Sequence, residues 1–171
     1  YDDDFPEKNE TPPAHYFVNP PKIPPPNTDK KAWWTTILRN IPSGATTVMT
    51  DGSYDNSPVA GAGVVIFWPS GRTTTHRAPA SFEESNAYKG ELGAIKMAAN
   101  ILTAVSPHHL GREIHLISDS QAALLGVVKG DPRTKTIRQI QQTLEPLRNL
   151  GGESNTLVFH FAYGHVNEQH D

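Results

Sequence analysis

The placement of proline constrains this chain more than any other feature. Eight of its 15 prolines lie between Pro6 and Pro26, including the runs Pro12-Pro13, Pro20-Pro21 and Pro24-Pro25-Pro26. A ring-locked φ and a missing N–H exclude helix and interior strand there and favour extended polyproline II. Residues 1–28 therefore read as an extended linker or arm lying along a surface. Pro21-Lys22-Ile23-Pro24 has the minimal P-x-x-P form, which a plain spacer also satisfies. Any core must come from the later residues, which are numerous enough to build one without staples. None is available in any case: the absence of cysteine excludes disulfides, cysteine-ligated zinc and thiol catalysis, and fits a reducing compartment. The chain opens on three aspartates rather than a basic stretch leading into an apolar one, and its longest apolar run, Val64 to Trp68, is far too short for a bilayer. The expectation is an intracellular protein, cytoplasmic or nuclear, neither secreted nor membrane-spanning.

Past the arm, residues 29–45 read as a short helix and connector. Thr28 or Asp29 can cap a helix through Asn40, with Ala32, Trp33, Ile37 and Ile41 on one apolar face. Adjacent tryptophans do not share a face, so one of Trp33 and Trp34 is expected inward and the other over the arm or a neighbour. Pro42-Ser43-Gly44 breaks the chain. Residues 46–171 are then more orderly. Thr46 to Asp51 reads as a strand ending in an Asp-Gly turn, Gly61 to Trp68 as a second and Arg72 to Ala78 as a third, forming an antiparallel meander. Glu83 to Val105 reads as a helix burying Ile95, Ala98, Leu102 and Val105. Glu113 to Ser118 is a fourth strand, and Ser120 to Val128 a short helix. Asp131-Pro132 caps an amphipathic helix carrying Ile137, Ile140, Leu144 and Leu147, stopped by Gly151-Gly152. Thr156 to Tyr163 is the last strand. The order βββ-α-β-α-α-β predicts an α/β (α+β mixed) fold, a five-stranded mixed sheet with helices packed on both faces.

Three acids occupy suggestive places in this framework. Asp51 and Asp119 stand at strand ends, where an Asp-Gly turn and a helix N-cap are the structural alternatives. Glu91 falls one turn before Ile95, in the buried row of its helix, and no cation follows at i+3 or i+4, where Ala94 and Ile95 stand. An unpaired buried carboxylate is costly, so Glu91 needs a partner. Two strand-end aspartates and an inward glutamate can converge into a hard-oxygen site suited to Mg²⁺ or Mn²⁺. The formal net charge of −3 argues against simple phosphate tracking, but acids engaged with cations hide a polyanion-handling enzyme from such a count. Lys89, Lys96, Lys129, Arg133, Lys135 and Arg138 could face phosphates, although solvated helix faces account for them equally well.

Several motifs carry a resemblance. Thr50-Asp51-Gly52-Ser53, followed by Gly61-Ala62-Gly63-Val64-Val65-Ile66, resembles the first hairpin of type I ribonuclease H. Gly90-Glu91-Leu92-Gly93-Ala94-Ile95 is similar to its first helix, with glycine where the family usually has alanine. Ile117-Ser118-Asp119-Ser120-Gln121-Ala122-Ala123-Leu124 resembles its third catalytic block, and Tyr163-Gly164-His165 its late Gly-His loop. The wording around Asp119 most resembles the ribonuclease H domains of non-LTR retrotransposon polyproteins. The resemblance covers residues 46–171 and implies an endonuclease that hydrolyses the RNA strand of RNA–DNA hybrids through two Mg²⁺ ions, with Mn²⁺ as a possible substitute, leaving 5′-phosphates. It implies catalytic metal ligands at Asp51, Glu91, Asp119 and Asp171, an assisting His165, and a substrate contact by Gln121; Ser53 and Asn56, on the first loop, are further candidates for substrate contact. It also implies an upstream polymerase domain in the same polyprotein as a partner. The segment His165 to Asp171 is about four residues shorter than the family's loop.

Two alternatives remain at this stage. One is the same fold without activity, serving as a structural or nucleic-acid-binding module. The other is a related DNA-cutting or exonuclease chemistry, against which Gly52 and Ser53 stand where such exonucleases carry Asp-x-Glu.

Overall fold

Parity along the strands explains the architecture. In the computed structural model, which describes residues 21–52, 61–79, 87–129, 135–148 and 157–163, alternate residues of the central strands feed two different apolar clusters. The strands are β1 (Thr46–Gly52), β2 (Gly61–Phe67), β3 (Thr73–Pro79), β4 (Ile114–Ser118) and β5 (Leu157–Phe161). They form one sheet in the order β3-β2-β1-β4-β5, antiparallel across β1–β2 and β2–β3 and parallel across β1–β4 and β4–β5. Val48, Leu116, Ile114 and Phe159 point to one face and join the main core. Met49 and Ile117, one residue on, point to the other. Every residue of β4 is buried, as expected of a strand in the middle of a sheet covered on both sides.

The helices are α1 (Lys30–Asn40), α2 (Ala87–Ala104), α3 (Gln121–Lys129) and α4 (Lys135–Arg148), with one turn of 3-10 helix at Pro107–His109. The apolar row of α2, Ile95, Ala98 and Leu102, packs with α3 and α4 over the main core. The three helices are also stitched by polar contacts: Lys96 Nζ donates to Gln139 Oε1 at 2.9 Å, and the buried Gln141 Nε2 donates to the Val127 carbonyl at 3.0 Å. At Gly126 the helices approach so closely that a Cβ would stand 2.9 Å from Ile137 Cδ1. The mixed sheet, its element order and the covering of both faces match the sequence reading.

Several details differ from it. Asp29, not Thr28, caps α1, accepting from the Ala32 amide at 2.9 Å; the Thr28 hydroxyl donates to the Pro25 carbonyl instead. Ala32 is exposed rather than on the apolar face. Trp33 and Trp34 both turn toward the sheet, packing with Ile37, Ile117 and Ala162. The two indoles straddle the contact line, and each N–H finds a carbonyl two residues apart on the outgoing chain: Trp33 Nε1 donates to Phe161 at 2.7 Å and Trp34 Nε1 to Tyr163 at 3.1 Å. Asp51 and Gly52 do not turn but remain in the β1–β2 ladder opposite Gly63 and Ala62. The last strand stops at Phe161 rather than Tyr163. The expected start of α2 at Glu83, the Asp131-Pro132 cap, the Gly151-Gly152 stop and the first residue of the Thr156 strand lie outside the described residues. The end of the proline-rich stretch is an edge-follower: Lys22 bridges β5 in parallel, its N–H donating to Phe159 at 2.8 Å and its carbonyl accepting from Phe161 at 2.9 Å.

On the α1 side of the sheet, parity also buries two histidines. His115 Nε2 donates to Glu113 Oε1 at 2.8 Å, which leaves the neutral ring's Nδ1 to accept from His160 Nε2, also at 2.8 Å. The tautomer of His160 is thereby set, and its Nδ1 is left as a buried acceptor with no hydrogen-bond partner among the described residues. Burial, His115 and the nearby Lys22 push the His160 imidazole down to about 4. Burial also lowers His115, against the pull of Glu113. The unfolded chain, with a histidine near 6.5, therefore takes up protons that the fold refuses. Stability present above pH 6.5 should fall as the pH drops toward 4, by up to about 3 kcal/mol from His160. Urea midpoints at pH 7 and pH 4.5 check this, with His160→Gln flattening the difference. An equal slope in both proteins would sink the assignment.

Candidate active site

The parallel register between β1 and β4 brings two of the three acids side by side. Thr50 pairs with Ser118, so Asp51 and Asp119, the next residue of each chain, emerge together at the same end of the sheet. Helix α2 lies across β1 and β2 and delivers Glu91 from above. Oxygen atoms of Asp51, Glu91 and Asp119 all lie within 4.8 Å of one another, with Glu91 buried and both aspartates exposed. The inward placement argued from helical spacing is what occurs: Glu91 is 5% exposed. Neither structural alternative for the aspartates applies. Asp51 sits in a ladder, not a turn, and the cap of α3 is Ser120, whose Oγ accepts from the Ala123 amide at 3.2 Å. Asp119 is thus left to face the cluster.

Among the described residues the converging donors are all carboxylates. Hard oxygen donors of this kind fit Mg²⁺ or Mn²⁺ rather than zinc. Three acids this close repel one another, and a cation between them removes that cost.

Gln121 opens α3 two residues beyond Asp119 and is exposed. Ser53, Asn56, His165 and Asp171 lie outside the described residues. One participant carried no role in the sequence reading. Ser118 is 1% exposed and its Oγ donates to Glu91 Oε2 at 3.4 Å while accepting from the Ser120 amide at 3.1 Å. The available signals were the parity of β4, which puts Ser118 on the face of Leu116, and the Ser-x-Ser spacing that favours a side-chain-to-backbone turn.

No protein-family model and no curated protein sequence matches the chain. Solved structures do. The crystal structure of LC11-RNase H1 in complex with RNA/DNA hybrid is similar over 72% of this chain and 89% of that chain, with a TM-score of 0.54 and 21% identity. A structure of LC11-RNase H1 isolated from compost by a metagenomic approach is similar over 74% of this chain and 89% of that one, with a TM-score of 0.50 and 18% identity. With the strand order β3-β2-β1-β4-β5 and helices on both faces, this chain has the ribonuclease H fold.

Proposed function

We propose that this chain is a metal-dependent endonuclease that hydrolyses the RNA strand of RNA–DNA hybrids, the ribonuclease H domain of a retroelement. The observation that carries the reading is the convergence of Asp51, Glu91 and Asp119 from three separate elements, one of them buried. A structural module has no physical use for such a cluster, since mutual repulsion and burial both cost stability. The likeness to a ribonuclease H1 solved with an RNA/DNA hybrid supports the choice of substrate.

In this reading Asp51, Glu91 and Asp119, joined by Asp171, hold two Mg²⁺ ions, with Mn²⁺ as substitute. Bound divalent cations supply activation of water and charge neutralisation at the scissile phosphate. The two exposed aspartates present their carboxylates to the substrate side, while the buried Glu91 closes the rear of the cluster. Gln121, exposed two residues beyond Asp119, donates or accepts at the RNA minor groove, where a 2′-hydroxyl distinguishes RNA from DNA. Ser53 and Asn56 act similarly from the first hairpin loop, and His165 assists turnover by moving a proton. The products carry 5′-phosphates. Residues 46–171 form the nuclease unit and residues 29–45 the helix and connector docked on it. Residues 1–28 are the arm that would lead to a polymerase domain of the same polyprotein, an intracellular setting, cytoplasmic or nuclear. No helix among the described residues is long and apolar enough to cross a membrane.

The test is cleavage of a labelled RNA–DNA hybrid beside duplex RNA and duplex DNA. The RNA strand of the hybrid should be cut in Mg²⁺ and left intact with chelator. Cutting that favours duplex DNA would transfer the fold to another chemistry, and binding of hybrid without cleavage would favour the inactive module.

A further inference from the structure

Ser118 carries a buried hydroxyl that touches the acidic cluster at Glu91. It follows Ile114 and Leu116 on the face of β4 that meets α2, which is the face from which Glu91 descends. Its Oγ accepts from the Ser120 N–H, and that contact fixes where the hydroxyl's own hydrogen can go. The remaining direction leads to Glu91 Oε2 at 3.4 Å. The same residue's carbonyl accepts from the Ala162 amide at 3.0 Å, so the hydroxyl sits on backbone that is held on both sides. One oxygen thus couples the acid on α2 to the turn that aims Asp119. We propose that Ser118 is a positioning residue for Glu91, setting the carboxylate plane and thereby the affinity of the cluster for divalent cation. The inference rests on the metal-dependent reading above.

The physics is that of an outer partner. The terminal torsion of a glutamate is broad, so each donor to a carboxylate oxygen narrows the orientations that a bound cation must select. A donor from a fixed strand orders it in advance. The separation of 3.4 Å is at the long end for such a bond.

The experiment compares wild type, Ser118→Ala and Ser118→Thr by calorimetric titration of the metal-free proteins with Mn²⁺. Melting temperatures without metal and the Mg²⁺ dependence of hybrid cleavage are measured alongside. Ser118→Ala should bind Mn²⁺ about 10–100-fold more weakly, the usual range for removing an outer partner of a metal ligand. Its half-saturating Mg²⁺ should rise by a similar factor, while turnover at saturating Mg²⁺ returns to within a few-fold of wild type. Ser118→Thr keeps the hydroxyl and should restore both. If Ser118→Ala binds Mn²⁺ as wild type does, or only lowers the metal-free melting temperature, Ser118 is structural and the inference fails while the metal reading stands. Should Ser118→Thr not fold, the comparison of Ser118→Ala with wild type decides alone. Wild type that binds neither cation overturns the metal reading itself, and the inference with it.

Discussion

Replacing Asp119 by asparagine should reduce hybrid cleavage by at least about a thousandfold, ~4 kcal/mol of barrier, without unfolding the protein. The substitution preserves size and hydrogen bonding but replaces a charged oxygen donor with a weak amide one. Asp119 is exposed, and the neighbouring α3 is capped by Ser120, so no helix end depends on the carboxylate. Its oxygen lies within 4.8 Å of acids on β1 and α2. Repulsion between unit charges near that distance runs from about 1 kcal/mol in a water-like medium to about 4 kcal/mol at an effective dielectric near 20. Removing one charge should therefore leave the metal-free melting temperature no lower than that of wild type. Cleavage rates and melting curves on the same preparation check both halves. Activity retained within tenfold would remove Asp119 from the site, and a lower metal-free melting temperature would show a structural duty instead.

The second large effect should come from the other face of the sheet. Deleting residues through Arg39 removes Trp33, Trp34 and Ile37 and uncovers Ile117 and Ala162. Burying one side chain the size of Ile37 is worth about 1.5–3 kcal/mol, and each lost indole hydrogen bond costs about 1 kcal/mol. Together with the tryptophan surfaces, the loss approaches the whole stability of a domain, typically about 5–15 kcal/mol. The truncated chain should be unfolded or insoluble. Removing only residues 1–20, which leaves Lys22 on the edge of β5, should spare the fold. Far-ultraviolet circular dichroism and urea midpoints of both deletions settle the matter. A cooperative, near-wild-type transition after the longer deletion would show that α1 rests on the sheet without supporting it.

The two predictions differ in how far they could be foreseen. Asp51, Glu91 and Asp119 were legible because each stands at a landmark of a periodic pattern: a strand end, a buried helical row, a strand end. Periodicity also disclosed the meander and the long helix. It could not tell whether Asp51-Gly52 turns or continues in the ladder, because that depends on Gly63 and Ala62 across the hairpin. Nor could it bring both tryptophans inward, since the deciding partners are carbonyls at positions 161 and 163. The buried pair of His115 and His160 was missed for the same reason: its residues are 45 apart, and only the β4–β5 register makes them neighbours. Ser118 was quoted within a motif but assigned no role, since its partner Glu91 lies on another element.

The docking of α1 also sets a timetable for synthesis. The surface that receives Trp33 and Trp34 is made by β4 and by the outgoing end of β5, with hydrogen bonds spanning 128 and 129 residues. On the ribosome, α1 emerges ahead of its seat and stays undocked until the 128 residues from Trp33 to Phe161 have been made. An isolated helix of 11 residues is marginal in water, so two tryptophans wait in an unprotected segment until β5 has been made. Closure of so long a loop comes late, after local hairpins and helices have formed. Ribosome-bound chains halted before β5 should therefore keep both indoles accessible to quenchers, and release past Tyr163 should bury them in one step.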